Sequence, residues 1–182
     1  MNETRTYKNL KFKPKDNYPK WIIVHHSGGT DKNPLEDTSH HTAQIMESWH
    51  FKLGWEGLGY HYVIHKDGAI WKGRPEHYHS AQAVGYNSQS IGICMAGNFD
   101  ATLPTEKQIE SLKLLLSETT KRYNLTLDKI VPHRKFANKT CYGRKLSDTW
   151  ASDLIKPKKD EEVCIRIPKS RLQKILNFLK TL

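Results

Sequence analysis

The 182-residue chain has no long hydrophobic run, and its mean hydropathy is -0.71. Because a membrane-spanning helix needs about 20 consecutive apolar residues, the sequence predicts no transmembrane segment. The first 15 residues are polar and basic, with Leu10 and Phe12 as their large apolar side chains. A secretory signal requires an apolar centre. We therefore expect the chain to be made and kept in the cytoplasm unless another device releases it.

Cysteine is also scarce, with Cys94, Cys141 and Cys164 widely spaced along the chain. Small secreted disulfide scaffolds have many cysteines in even numbers, so this pattern predicts reduced thiols. Acidic residues are outnumbered by basic ones, which gives a net charge of +10. Such a charge favours polyanions, including nucleic acids and wall polymers. Since no nucleic-acid-reading motif accompanies it, we expect no nucleic-acid partner.

The order of apolar segments predicts a single α/β domain with a central mixed β-sheet flanked by helices. We divide the chain into a basic lead-in (1–19), a main domain (20–155) and a C-terminal extension (156–182), and we expect a monomer. Strands are predicted at 21–26, 60–65, 69–72, 90–97 and 129–131, the second and third forming a hairpin around Asp67-Gly68. Helices are predicted from a cap at Thr38 or Ser39 to Gly54, from the capping box of Thr105 and Gln108 to Tyr123, and over 172–182 as an amphipathic basic helix.

Three residues combine the chemistry and the position of a metal site. His25 ends a buried strand, His133 follows a second short strand, and Cys141 lies eight residues later in a polar loop. Imidazole and thiolate are good ligands for Zn²⁺, and a catalytic zinc keeps three protein ligands and one open position. From the residues alone the zinc site is a hypothesis, because the spacing between His133 and Cys141 is not a fixed short motif.

Four blocks resemble the type 2 N-acetylmuramoyl-L-alanine amidases, which include phage lysozyme-type endolysins and animal peptidoglycan recognition proteins. The blocks are 22–27 (IIVHHS), 59–68 (GYHYVIHKDG), 85–93 (GYNSQSIGI) and 132–141 (PHRKFANKTC). They occur in the family's order and together span about residues 20 to 150. The resemblance implies zinc-dependent hydrolysis of the amide between N-acetylmuramic acid and L-alanine in peptidoglycan, within a groove that passes the zinc.

Carried over residue by residue, the resemblance makes His25, His133 and Cys141 the zinc ligands. It places Tyr60 beside the water on the metal and Lys139 where negative charge develops, so both are expected to be catalytic. Without the resemblance, Tyr60 would be interpreted as a strand aromatic packed in the core and Lys139 as a solvated charge in a loop. Asn87 and His26 are expected to contact substrate. These two assignments complete the predicted site.

Two positions depart from the family pattern. Gln82 stands five residues before Asn87, where many relatives carry histidine, and Tyr142 follows the metal cysteine, where proline is common. A second hypothesis is a peptidoglycan recognition module that binds without cutting, but such binders usually lack the cysteine ligand. A purely structural zinc would need a fourth protein ligand. The biological setting stays open between a phage-type endolysin and a cytoplasmic amidase that recycles muropeptides.

Overall fold

The computed structural model describes residues 4–6 and 16–157. The strands are β1 (Thr4–Thr6), β2 (Trp21–His26), β3 (Tyr62–Ile64), β4 (Ile70–Lys72), β5 (Ser90–Met95) and β6 (Ile130–Pro132). The helices are α1 (Ala43–Lys52), α2 (Glu106–Tyr123) and the short α3 (Trp150–Asp153). The predicted C-terminal helix and Cys164 lie outside the described residues. None of the helices within the described ranges is long and apolar enough to cross a membrane.

The six strands form one mixed sheet in the order β1-β4-β3-β5-β2-β6. The β3–β4 pair is antiparallel, which confirms the predicted hairpin, and the other four pairings are parallel. Parallel strands are joined by crossovers, and their carboxyl ends lie at one edge of the sheet. The carboxyl ends of β2, β5 and β6 therefore meet, and the histidines of β2 lie there.

The central strands are buried on both faces. Alternate side chains of β2 and β5 point to opposite faces, as the period of two of a β-strand requires. Ile22 and Ile93 pack with Leu112 and Leu116 of α2, whereas Val63 and Cys94 pack with α1 on the other face. The predicted fold class is confirmed, and Cys94 is fully buried within β5.

Helix α2 follows its prediction, whereas α1 does not. The capping box between Thr105 and Gln108 is present. Helix α1 begins after Thr42, whose hydroxyl accepts from the Ile45 backbone N–H, so the predicted start at Thr38 or Ser39 was wrong. Of the apolar residues that recur at helical spacing in this segment, Ala43 and Met46 are buried, whereas Trp49 and Leu53 are exposed and the polar Glu47 and His50 are buried instead.

Candidate metal centre

His25 and His133 are adjacent because their strands are parallel neighbours. Val24 of β2 lies opposite Pro132 of β6, so the next residue of each strand emerges at the same edge. The two imidazole rings lie with their centroids 4.4 Å apart. Parallel pairing thus joins two histidines that are far apart in the sequence.

Cys141 reaches the same edge from the loop that follows β6. Its backbone carbonyl accepts from the Arg134 N–H at 2.7 Å, which closes the loop. Its Sγ atom accepts from the backbone N–H of His26 at 3.4 Å and lies 3.6 Å from Nδ1 of His25. The thiol is therefore held at the end of β2 on two sides.

Arg134 stabilises this loop, and the sequence analysis gave it no role although it follows His133 directly. Its guanidinium donates to the carbonyl oxygens of Gly143 at 2.8 Å and Leu146 at 2.7 Å, and it forms an ion pair with Asp148 at 2.5 Å. Guanidinium is suited to such a role because its five donors are held in a fixed plane. One side chain thereby joins several turns of the cysteine loop.

Among the residues that the structure describes, His25, His133 and Cys141 form a group that could hold a metal ion. One ligand atom from each lies within 4.8 Å of the others. Burial, followed by the neighbouring His133, lowers the pKa of His25 well below its usual range, and burial lowers the pKa of His133 to about 4. Both rings are therefore neutral at neutral pH, as metal ligation requires. The donor set of two imidazoles and one thiol fits zinc.

A pocket of about 590 Å³ opens above these three residues. Tyr60 and Lys139 both contribute to its lining. The Tyr60 ring centroid lies 5.1 Å from that of His25. Burial and the neighbouring Cys94 and Cys141 raise the pKa of Tyr60 well above its ordinary value, so its hydroxyl is protonated, and it is hydrogen-bonded to the Cys94 thiol. Lys139 is exposed at the pocket wall, where its charge acts on His25 and His133.

The two expected substrate contacts have different surroundings. His26 lines the pocket, and its Nδ1 accepts from the Phe99 backbone N–H at 2.9 Å. A neutral His26 therefore carries its proton on Nε2. Asn87 does not belong to the pocket lining. Its side-chain oxygen accepts from the backbone N–H groups of Gln82 and Ala83, so the structure places Asn87 in the loop before β5 and not at the groove.

Of the two residues that depart from the family pattern, Tyr142 lies in the core and Gln82 lies at the pocket. Tyr142 is fully buried, and its hydroxyl donates to the carbonyl oxygens of Ser147 and Asp148 at 2.9 and 3.1 Å. Gln82 lines the pocket, and its Oε1 atom accepts from Nε2 of His25. The residue that replaces the histidine of many relatives thus touches a candidate metal ligand.

His50 is another residue that the sequence analysis left unassigned. Its Nδ1 accepts from the Gly59 backbone N–H at 3.0 Å, and its ring stacks on Trp55 with centroids 4.6 Å apart. Burial lowers the pKa of His50 to about 4. Since Trp55 lines the pocket, His50 helps to position the pocket wall.

The mixed sheet and the open pocket above two histidines and a cysteine define a candidate metal-dependent hydrolase. The chain belongs to the N-acetylmuramoyl-L-alanine amidase family, whose profile matches residues 15–145. This match confirms the family and the enzyme class expected from the sequence.

Individual relatives agree with this assignment. The chain is 31% identical to peptidoglycan-recognition protein SC2 of Drosophila melanogaster over 144 residues, which covers 75% of this chain and 76% of that protein. It is 34% identical to the endolysin of Escherichia phage T7 over 111 residues, or 58% of this chain and 72% of the endolysin. Among solved structures, N-acetylmuramoyl-L-alanine amidase LysC from Clostridium intestinale matches with a TM-score of 0.68 and 28% identity, covering 80% of this chain and 91% of LysC.

Proposed function

We propose that this chain is a zinc-dependent amidase that hydrolyses the bond between the lactyl group of N-acetylmuramic acid and L-alanine in peptidoglycan. The observation that carries the proposal is the convergence of His25, His133 and Cys141 at the floor of an open pocket in a chain of the amidase family. Zinc held there would supply a Lewis acid that polarises the amide carbonyl and makes water a better nucleophile at neutral pH.

The chain's own side chains supply the remaining chemistry. Tyr60, protonated and beside His25, is placed to donate a hydrogen bond to the oxygen on which negative charge develops. Lys139 adds positive charge at the same wall of the pocket. His26 presents an Nε2–H donor to the pocket, and we assign it to substrate orientation.

Two alternatives are less well supported. A recognition module that binds without cutting does not need a cysteine at this position, whereas Cys141 is held here by two backbone contacts within reach of His25. A structural zinc site is closed by four protein ligands. The group found among the described residues has three, and it faces an open pocket.

We place the activity at the bacterial cell wall, as in an endolysin. The endolysins of phage T7 and Klebsiella phage KP32 are relatives at 34% and 32% identity. The net charge of +10 would favour contact with anionic wall polymers. Processing of muropeptides in the cytoplasm is the alternative setting, and it uses the same reaction.

The test is digestion of purified peptidoglycan, followed by mass spectrometry of the released fragments. The zinc-loaded protein is expected to release free stem peptides that begin at L-alanine. Cys141→Ser and His133→Ala should release none, whereas the matched control His77→Ala, an exposed histidine outside the pocket lining, should act like the parent. Zinc binding without any release of peptide would favour the recognition module.

A further inference from the structure

The side chain of Gln82 is seated on the backbone of strand β5 at Gly92. A Cβ atom added to Gly92 would lie 2.8 Å from Cγ and 2.9 Å from Cδ of Gln82, closer than carbon atoms approach without displacement. Gly92 lies opposite Ile23 in the sheet, two residue pairs before His25 and Cys94. The missing side chain at Gly92 therefore makes the space through which Gln82 reaches His25.

The hydrogen-bond donors around Gln82 determine which way its amide points. The Ser90 hydroxyl donates to the Tyr86 carbonyl at 2.7 Å, so its oxygen is available to accept from Nε2 of Gln82 at 2.8 Å. Nε2 also donates to the Ser80 hydroxyl at 3.3 Å. With the amide nitrogen facing two serines, the amide oxygen faces Nε2 of His25.

The loop that carries Gln82 is braced by Asn87. Its side-chain oxygen accepts from the backbone N–H of Gln82 at 2.8 Å and from that of Ala83 at 2.9 Å. Its backbone carbonyl accepts from the Ser80 N–H at 2.9 Å. These bonds fix the position of the Gln82 backbone relative to β5.

We propose that Gln82 is a positioning residue that holds His25 in its Nε2–H tautomer and so leaves Nδ1 as the metal-binding atom. An amide oxygen only accepts hydrogen bonds, so the His25 nitrogen facing it carries the proton. A neutral imidazole has one N–H, and the free electron pair is then on Nδ1, which lies 3.6 Å from Sγ of Cys141. Partners that orient a metal-binding histidine in this way typically contribute about 10- to 100-fold to metal affinity or activity.

The proposal rests on the metal role given to His25 in the proposed function, and its first test needs neither metal nor substrate. The tautomer of His25 is read from long-range ¹H–¹⁵N NMR spectra of the zinc-free protein, with the signal assigned by its loss in His25→Asn. The parent is expected to show protonated Nε2 and bare Nδ1. Gln82→Leu should shift the ring toward the other tautomer and raise the zinc dissociation constant about 10- to 100-fold in competition with a chelator.

Matched variants separate this role from general damage to the loop. Gln89→Leu changes another glutamine of the same loop, whose amide donates to the Gly85 carbonyl, and should leave the tautomer and zinc affinity unchanged. Gln82→Glu keeps an acceptor facing His25 and should bind zinc more tightly than Gln82→Leu. If Gln82→Leu does not fold, Gly92→Ala provides a second test. The added Cβ atom displaces the Gln82 side chain, so the shift in tautomer and the weaker zinc binding should both appear again.

The proposal is overturned if Gln82→Leu or Gly92→Ala folds and keeps both the Nε2–H tautomer and zinc affinity within twofold of the parent. Failure of the proposed function gives a different pattern. In that case the tautomer and zinc affinity respond to Gln82 as expected, but the parent releases no stem peptide from peptidoglycan.

Discussion

Nδ1 of His25 lies 3.6 Å from Sγ of Cys141, although 116 positions separate the two residues in the chain. Burial raises the pKa of the Cys141 thiol to about 12, so the group is a neutral thiol when no cation is near. A bound cation would stabilise the thiolate in the same position. The predictions below test the consequences of this arrangement.

Removal of metal is expected to abolish amidase activity, and added zinc should restore it. Zinc that binds the folded state raises its stability by about 2.7 kcal/mol at a free concentration 100 times the dissociation constant. Urea denaturation with and without zinc measures the difference. In Cys141→Ser the stabilisation should largely disappear, and an equal stabilisation of the variant and the parent would contradict the ligand assignment.

Tyr60→Phe is expected to lower kcat by about 10²- to 10³-fold, because it removes one hydrogen-bond donor at the reacting carbonyl. Zinc affinity should be unchanged, since the hydroxyl is not among the ligand atoms. Tyr62→Phe is the control: that hydroxyl donates to Glu76, outside the pocket lining, and kcat should stay within a fewfold of the parent. Equal loss of kcat in both variants would remove the case for a catalytic Tyr60.

Arg134→Leu is expected to lower the free energy of unfolding by about 3 kcal/mol, because it leaves several buried carbonyl groups without their charged donor. The loop that carries Cys141 should loosen, and zinc affinity should fall with it. Lys156→Leu removes an exposed ion pair with Asp153 and should cost about 1 kcal/mol or less. Urea denaturation of both variants checks the difference, and similar losses would show that Arg134 has no special role.

The pH dependence of stability should contain a contribution from His61. Its ring is 1% exposed, and burial lowers its pKa to about 4, against about 6.5 in the unfolded chain. The unfolded state therefore binds more protons between these values, so stability falls as the pH is lowered from about 6.5 toward 4. Between pH 7 and pH 5 the loss from this residue is about 2 kcal/mol. His61→Gln should reduce the pH dependence of the urea midpoint over this interval, to which His50 and His133 also contribute, and an unchanged dependence would contradict the assignment.

Local patterns in the sequence were sufficient to predict several elements of the fold. The capping box of α2 and the Asp67-Gly68 hairpin involve residues within a few positions of one another, so their signals are present in the chain itself. The start of α1 was misjudged because Thr38, Ser39 and Thr42 are all suitable caps. The choice among them was made by packing, which buries Ala43 and Met46 against the sheet.

The sequence by itself determined the chemical identity of the candidate site. Two histidines at strand ends and a cysteine in a loop carry their ligand chemistry wherever they lie, and the resemblance suggested roles for Tyr60 and Lys139. Only the tertiary structure decided how these groups are held. The tautomer of His25 depends on Gln82, and the position of Cys141 depends on Arg134. Such hydrogen bonds are decided by parallel strand pairing and loop closure, which join residues whose separation in the chain gives no local signal.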